Sequence, residues 1–276
     1  MTTFPSVSQR RCCHILGLSR SQLYPRPKQP PSYRYPSDAL VEPLRALIQQ
    51  HPTYGYRRLR VLLERQLGHR VGRKAVYSAL RRHRLLCNQR PKGARPRAQA
   101  LRSRAPQSNK RWSIYITHVY CGSDGWAHLT AIVDCYDREC VGFELSLRAR
   151  ANEAQRALEN ACLARFGTLR PAELDLVLRS DNGLVFNSRR FRAACADYRL
   201  QQEYITPYTP EQNGLIERFF RTLKEECIWQ HNFPSFLVAK ATIEAWIEHY
   251  NADRIHSALG YKSPRDFRSQ QLQQAA

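Results

Sequence analysis

Residues 174–183 read LDLVLRSDNG and residues 206–226 read TPYTPEQNGLIERFFRTLKEE. The first is an apolar run of strand length that ends in Asp181-Asn182-Gly183, a turn that frees the carboxylate at a sheet edge. The second begins as loop and turns helical near Asn213, with Ile216, Phe219, Phe220, Leu223 and Cys227 along one side. Glu217, Arg221 and Lys224 recur at i, i+4 and i+7 on another face. Thirty-five residues separate Asp181 from Glu217. Taken singly, Asp181 is an ordinary turn aspartate and Glu217 an ordinary surface glutamate. Their separation, with Lys224 in place to reach a phosphate, makes them candidates for one site. Hard oxygen ligands of this kind suit Mg²⁺.

Upstream of this pair, RWSIYITHVY (111–120), WAHLTAIVD (126–134) and VGFELSLRA (141–149) read as a meander of three strands joined by turns. A helix is expected over 151–166, a strand over 174–180 and a helix over 188–198. A fifth short strand (LQQEYIT, 200–206) and long helices at about 213–228 and 235–251 follow. This order is that of an α/β fold with a mixed five-stranded sheet and flanking helices. Trp112 and Trp126 are read as core aromatics, because large aromatics mostly serve packing.

The N-terminal part differs in character. Residues 1–111 carry 25 Lys/Arg against three acids, whereas residues 112–276 carry 19 against 20. All the excess positive charge therefore sits at one end, which points to a polyanion and first to nucleic acid. Residues 1–36 read as a short helix-turn-helix, with Ser19 capping its second helix, and a Pro-rich connector. Residues 37–87 read as three helices: about Asp38 to Gln50, one following Tyr54-Gly55-Tyr56, and about Arg73 to Leu86. The third carries Val76, Leu80 and Leu85 on one face and exposes Arg73, Lys74, Arg81, Arg82 and Arg84, the pattern of a recognition helix. Residues 88–110 hold seven basic residues with little apolar periodicity and read as a basic linker. No run approaches ~18 apolar residues, so a membrane span is not expected. The nine cysteines include no CxxC and suggest a reducing, cytoplasmic setting without zinc.

Several segments together carry a family resemblance: HPTYGYRRLRVLL (51–63), RWSIYITHV (111–119), AIVDCYDRECVGFELS (131–146), LRSDNGLVFNSRRF (178–191), TPYTPEQNGLIERFFRTLKEE (206–226) and YNADRIHSALGYKSP (250–264). The chain resembles the OrfB half of a bacterial insertion-sequence transposase, with a core similar to retroviral integrases. The resemblance implies an all-α helix-turn-helix DNA-binding region, an RNase H-like catalytic core over 111–230 and a helical tail over 231–276. It implies two Mg²⁺ ions, double-stranded DNA (the element's terminal repeats and target DNA) as substrate, self-association on DNA, and an OrfA partner. It places DNA contacts at Asn213, Arg218, Arg221 and Lys224. The family's three metal-binding carboxylates fall on position 115, Asp181 and Glu217, and position 115 here is Tyr115. A phenol of pKa ~10 supplies no carboxylate at neutral pH. Position 115 pairs with about Ala131, which leaves Asp134 ~10 Å along the strand at ~3.3 Å per residue. No other acid substitutes. The resemblance thus implies either a transposase impaired by Tyr115 or a non-catalytic DNA-binding remnant or regulator. A general RNase H-like nuclease is disfavoured by the basic N-terminal region.

Overall fold

The computed structural model describes residues 8–19, 37–87, 105–171, 175–207 and 209–275. It divides into two compact units, one of Met1–Gln50 with Leu59–Leu86 and one of His51–Arg58 with Cys87–Ala276.

In the first unit, α1 spans Gln9–Ile15, with the Ser8 hydroxyl accepting from the Arg11 N–H. The second helix expected beyond Ser19 lies outside the described residues. A 3₁₀ turn at Ser37–Leu40 leads into α2 (Val41–Gln50), followed by α3 (Tyr56–Leu67), whose residues through Arg58 count with the second unit, and α4 (Arg73–Arg82). Val41, Leu44 and Leu47 of α2, Leu59 and Leu63 of α3, and Val76, Ala79 and Leu80 of α4 are buried. Their three- and four-residue spacing gives each helix one apolar stripe. Glu64 accepts from the Val71 N–H at 2.9 Å and from Arg60 at 2.8 Å, fixing the α3–α4 connection. The expected third helix stops earlier than Leu86. Arg84 takes a left-handed φ of 56°, and the Leu85 N–H reaches back to the Leu80 carbonyl at 2.8 Å. This closes α4 with a C-cap, so Arg84 and Leu85 lie beyond its face.

The second unit is built on a mixed sheet ordered β3-β2-β1-β4-β5. Its strands are β1 (Arg111–Tyr120), β2 (Trp126–Asp134), β3 (Cys140–Ser146), β4 (Val177–Ser180) and β5 (Gln201–Tyr204). The first three form the antiparallel meander, while β1–β4 and β4–β5 pair in parallel. The last two strands are shorter than the expected segments. Helices α5 (Ala151–Phe166), α6 (Leu184–Asn187), α7 (Arg189–Asp197), α8 (Gly214–Glu226), α9 (Phe236–Ala252) and α10 (Pro264–Ala275) complete the unit.

Strand alternation assigns the two faces of the sheet. Ala127, Leu129, Ala131 and Val133 of β2 join α8 and α9 in one core. Trp112 and Ile114 of β1 and Ile132 of β2 join α5 and α7 in the other. On the second face Gly142 is required by a close approach, because a Cβ there would lie 2.5 Å from the Ala157 carbonyl oxygen and 2.6 Å from the Ala161 Cβ. The segment expected as a tail enters the first core through Ala239, Ile243, Trp246, Ile247 and Tyr250. It is also tied to edge strand β3. The Asn251 amide accepts from the Cys140 N–H at 2.9 Å and donates to the Cys140 carbonyl at 2.9 Å. Cys121, Cys135, Cys140, Cys162, Cys195 and Cys227 are buried free thiols, packed as small apolar groups. Trp112 is fully buried, as expected, but Trp126 is 60% exposed and packs edge-on against Tyr120. It starts β2 beside a turn, where no layer covers it. Among the described residues no helix is long and apolar enough to cross a membrane.

Candidate active site

Tyr115 sits midway along β1, opposite Ala131. On its other side β4 runs parallel, with Ser113 level with Arg179. Continuing that register by two residues sets Tyr115 beside Asp181, just past the end of β4, on neighbouring strands ~4.8 Å apart. The Asp181 carboxylate accepts from the Gly183 N–H at 2.8 Å, so the Asp-Asn-Gly turn aims it. A side chain at 183 would strike it, since a Cβ there would lie 2.8 Å from Asp181 Oδ1.

Glu217 is exposed on the first turn of α8, while Ile216, Phe219, Phe220 and Leu223 anchor the helix in the core. The half-buried Tyr115 ring packs against Phe220 at 5.6 Å. Burial, then the Asp181 charge, then the Glu217 charge push the Tyr115 hydroxyl above its ordinary range. Both carboxylates therefore act on one phenol, and the phenol keeps its proton. Asp134 lies elsewhere, opposite Trp112. It accepts from Trp112 Nε1 at 3.2 Å and from the backbone N–H groups of Asn109, Tyr136 and Asp137. Its lone pairs are committed to ending β2. Burial and the neighbouring Asp137 push its carboxyl up to about 6. Among the described residues no group of three or more His, Cys, Asp or Glu side chains could hold a metal ion. Two carboxylates and a neutral phenol do not fit a centre of two bridged cations.

The other predicted positions divide. Arg218 and Arg221 are exposed and Lys224 half-buried on α8, and Arg221 pairs with Glu225 at 2.8 Å. Asn213 departs from expectation. It is 2% exposed, and its side-chain oxygen and nitrogen are enclosed without hydrogen-bond partners. It therefore presents nothing at the surface. In the first unit Arg73, Lys74 and Arg81 are exposed along α4. Arg82 is drawn to Asp38 at 3.3 Å, which takes up part of its charge, and Arg84 is exposed past the helix end.

Arg179 was missed from the sequence. Buried beside Asp181, it donates to both Glu203 oxygens at 3.0 and 3.1 Å and to the Gln212 carbonyl at 2.9 Å. Partial burial pushes the Glu203 carboxyl up, but the Arg179 guanidinium outweighs this and holds it below its usual range. Arg179 thus links β4, β5 and the loop that launches α8, fixing Asp181 relative to Glu217. A charged residue inside an apolar strand run was the available signal.

Integrase core domain models match residues 105–210 and 198–264, and an HTH-like domain model matches residues 36–93. The uncharacterized 39.2 kDa protein of insertion element IS476 from Xanthomonas euvesicatoria is 32% identical, over 95% of this chain and 72% of its own length. The uncharacterized 31.7 kDa protein of insertion element IS407 from Burkholderia multivorans is 31% identical, over 95% and 91%. Transposase InsD of insertion element IS2A/D/F/H/I/K from Escherichia coli is 31% identical, over 80% and 75%. Among solved structures, the simian T-cell lymphotropic virus intasome in complex with PP2A regulatory subunit B56 gamma superposes with a TM-score of 0.52 at 21% identity. It covers 82% of this chain and 74% of that one, and it shares the fold.

Proposed function

The chain belongs to the integrase-core transposases of insertion elements, and on that premise we propose that it holds DNA ends through its basic N-terminal region but joins strands poorly. The observation that carries this is Tyr115 level with Asp181, its neutral hydroxyl under the field of Asp181 and Glu217. In this reading Asp181 and Glu217 are metal ligands that can hold one divalent cation, magnesium by family. The third carboxylate needed to bridge a second is missing. Arg73, Lys74 and Arg81 of α4 meet the DNA as a recognition helix, while Arg218, Arg221 and Lys224 meet phosphates near the site. Self-association on DNA and an OrfA partner belong to the same reading, as does a bacterial cytoplasm.

Strand transfer with Mg²⁺, measured for the unaltered chain and for Tyr115→Asp, tests the proposal. Partners that merely orient a metal's ligands are each worth about 10–100-fold, so restoring a direct ligand should raise the rate by at least about 100-fold. An unaltered chain as active as the variant would refute it. A second reading, a DNA-binding regulator with no chemistry of its own, is favoured by the same tyrosine. It predicts duplex binding with no strand transfer from either protein.

A further inference from the structure

Apart from the carboxylates, the second unit contains a cleft of about 310 Å³ lined by Arg58, Arg138, Arg218, Thr222, Arg254 and His256. Four arginines line it, from the first turn of α3, the β2–β3 turn, α8 and the segment after α9. Glu226 neutralises one of them. It accepts from Arg254 through both oxygens at 2.7 Å, with Arg58 at 3.8 Å. His256 adds no charge, since its Nε2 faces the Arg254 Nη1 donor at 3.3 Å and must accept. Among the described residues Arg138 and Arg218 pair with no carboxylate, and Arg138 Nε is enclosed without a hydrogen-bond partner. Arg138 is also held at a left-handed φ of 68°, a backbone conformation that is costly for a residue other than glycine.

Charges gathered this way repel one another unless an anion joins them. The planar five-donor fork of arginine matches a phosphate's oxygens, while the Thr222 hydroxyl, which donates to the Arg218 carbonyl at 2.8 Å, forms part of the wall. The location favours DNA as the source of that phosphate. Arg218 and Thr222 lie on α8 about 100° around the helix from the stripe of Glu217, Arg221 and Lys224. A strand that crosses the carboxylates and follows α8 would bring its backbone to the cleft. We propose that this cleft binds a phosphate group of the DNA backbone and so sets where the strand lies relative to Asp181 and Glu217. The inference rests on the DNA-holding reading above but not on the activity of the centre.

The test uses the full chain, a labelled duplex of mixed sequence and a salt series. The variants are Arg138→Gln and, on an exposed helix face where folding is not at stake, Arg218→Gln. Each lost phosphate contact should make the fall of log K with log salt shallower by about 0.9. Arg138→Lys, which keeps the charge, should retain the slope. In a second arm, inorganic phosphate alone should raise the melting temperature of the unaltered chain and do so less for Arg138→Gln. Unchanged slopes with a lost phosphate effect would assign the cleft to free phosphate and overturn DNA as its source. No change in either arm would overturn the site altogether. Failure of the unaltered chain to bind duplex would instead sink the DNA-holding reading, and the phosphate arm would still decide the cleft.

Discussion

Acidification should weaken the second unit through His256. Burial, then the Arg254, Arg58 and Arg138 charges, push this imidazole from an ordinary 6.5 down to about 2. Its folded pKa is depressed, so the unfolded chain takes up the proton first. The histidine's contribution to stability is complete above about pH 6.5 and is lost as pH falls from there toward the folded value. At about pH 5, some 1.5 units below the ordinary value, the loss is about 2 kcal/mol, taking 1.36 kcal/mol per unit. His256→Gln keeps an acceptor for Arg254 and cannot titrate. Urea unfolding followed by tryptophan fluorescence provides the assay, because all four tryptophans, Trp112, Trp126, Trp229 and Trp246, lie in the second unit. The two proteins should have similar pH dependence above neutrality. Near pH 5 the variant should have gained about 2 kcal/mol on the unaltered chain. Equal losses in both proteins between pH 7.5 and 5 would refute the argument.

Two substitutions test the packing that frames the site. Gly142→Ala drives a methyl into α5, where the Ala157 oxygen lies 2.5 Å from the new Cβ. It should cost at least about 2 kcal/mol in urea unfolding, with partial recovery when Ala161→Gly is added. Asn251→Ala leaves the buried Cys140 N–H and carbonyl unpaired. At about 1–3 kcal/mol for each group, it should cost about 2–6 kcal/mol, and a loss under 1 kcal/mol would show that water replaces the amide.

What the sequence made legible was local. The apolar stripe of α8 was readable because helical spacing repeats within two turns. The Tyr115–Ala131 pairing was readable because a hairpin's register follows from its turn. The parallel register of β1 with β4, which sets Tyr115 beside Asp181, joins segments more than sixty residues apart, and no local pattern specifies it. The same holds for Arg179, whose partners Glu203 and Gln212 lie 24 and 33 residues away. Trp126 and Leu85 were misplaced because type and spacing suggested core or helix. Neither indicates which side of an element stays uncovered or where a cap intervenes. The burial of Asn213 had no sequence signal, since Asn-Gly reads equally as an exposed turn.

The clamp between Asn251 and Cys140 also bears on how the chain reaches this fold. β3 is an edge of the sheet, and edges with open N–H and C=O groups recruit strands from other molecules. Here a side chain takes the place of a neighbouring strand at Cys140, but it comes from 111 residues later in the chain. At translation speeds of about 5–20 residues per second, that edge waits roughly 6–20 s for its cover during synthesis. In that interval the nascent meander is open to pairing with a second nascent chain. Overexpression should therefore favour aggregates seeded at β3 even though the finished protein closes that point.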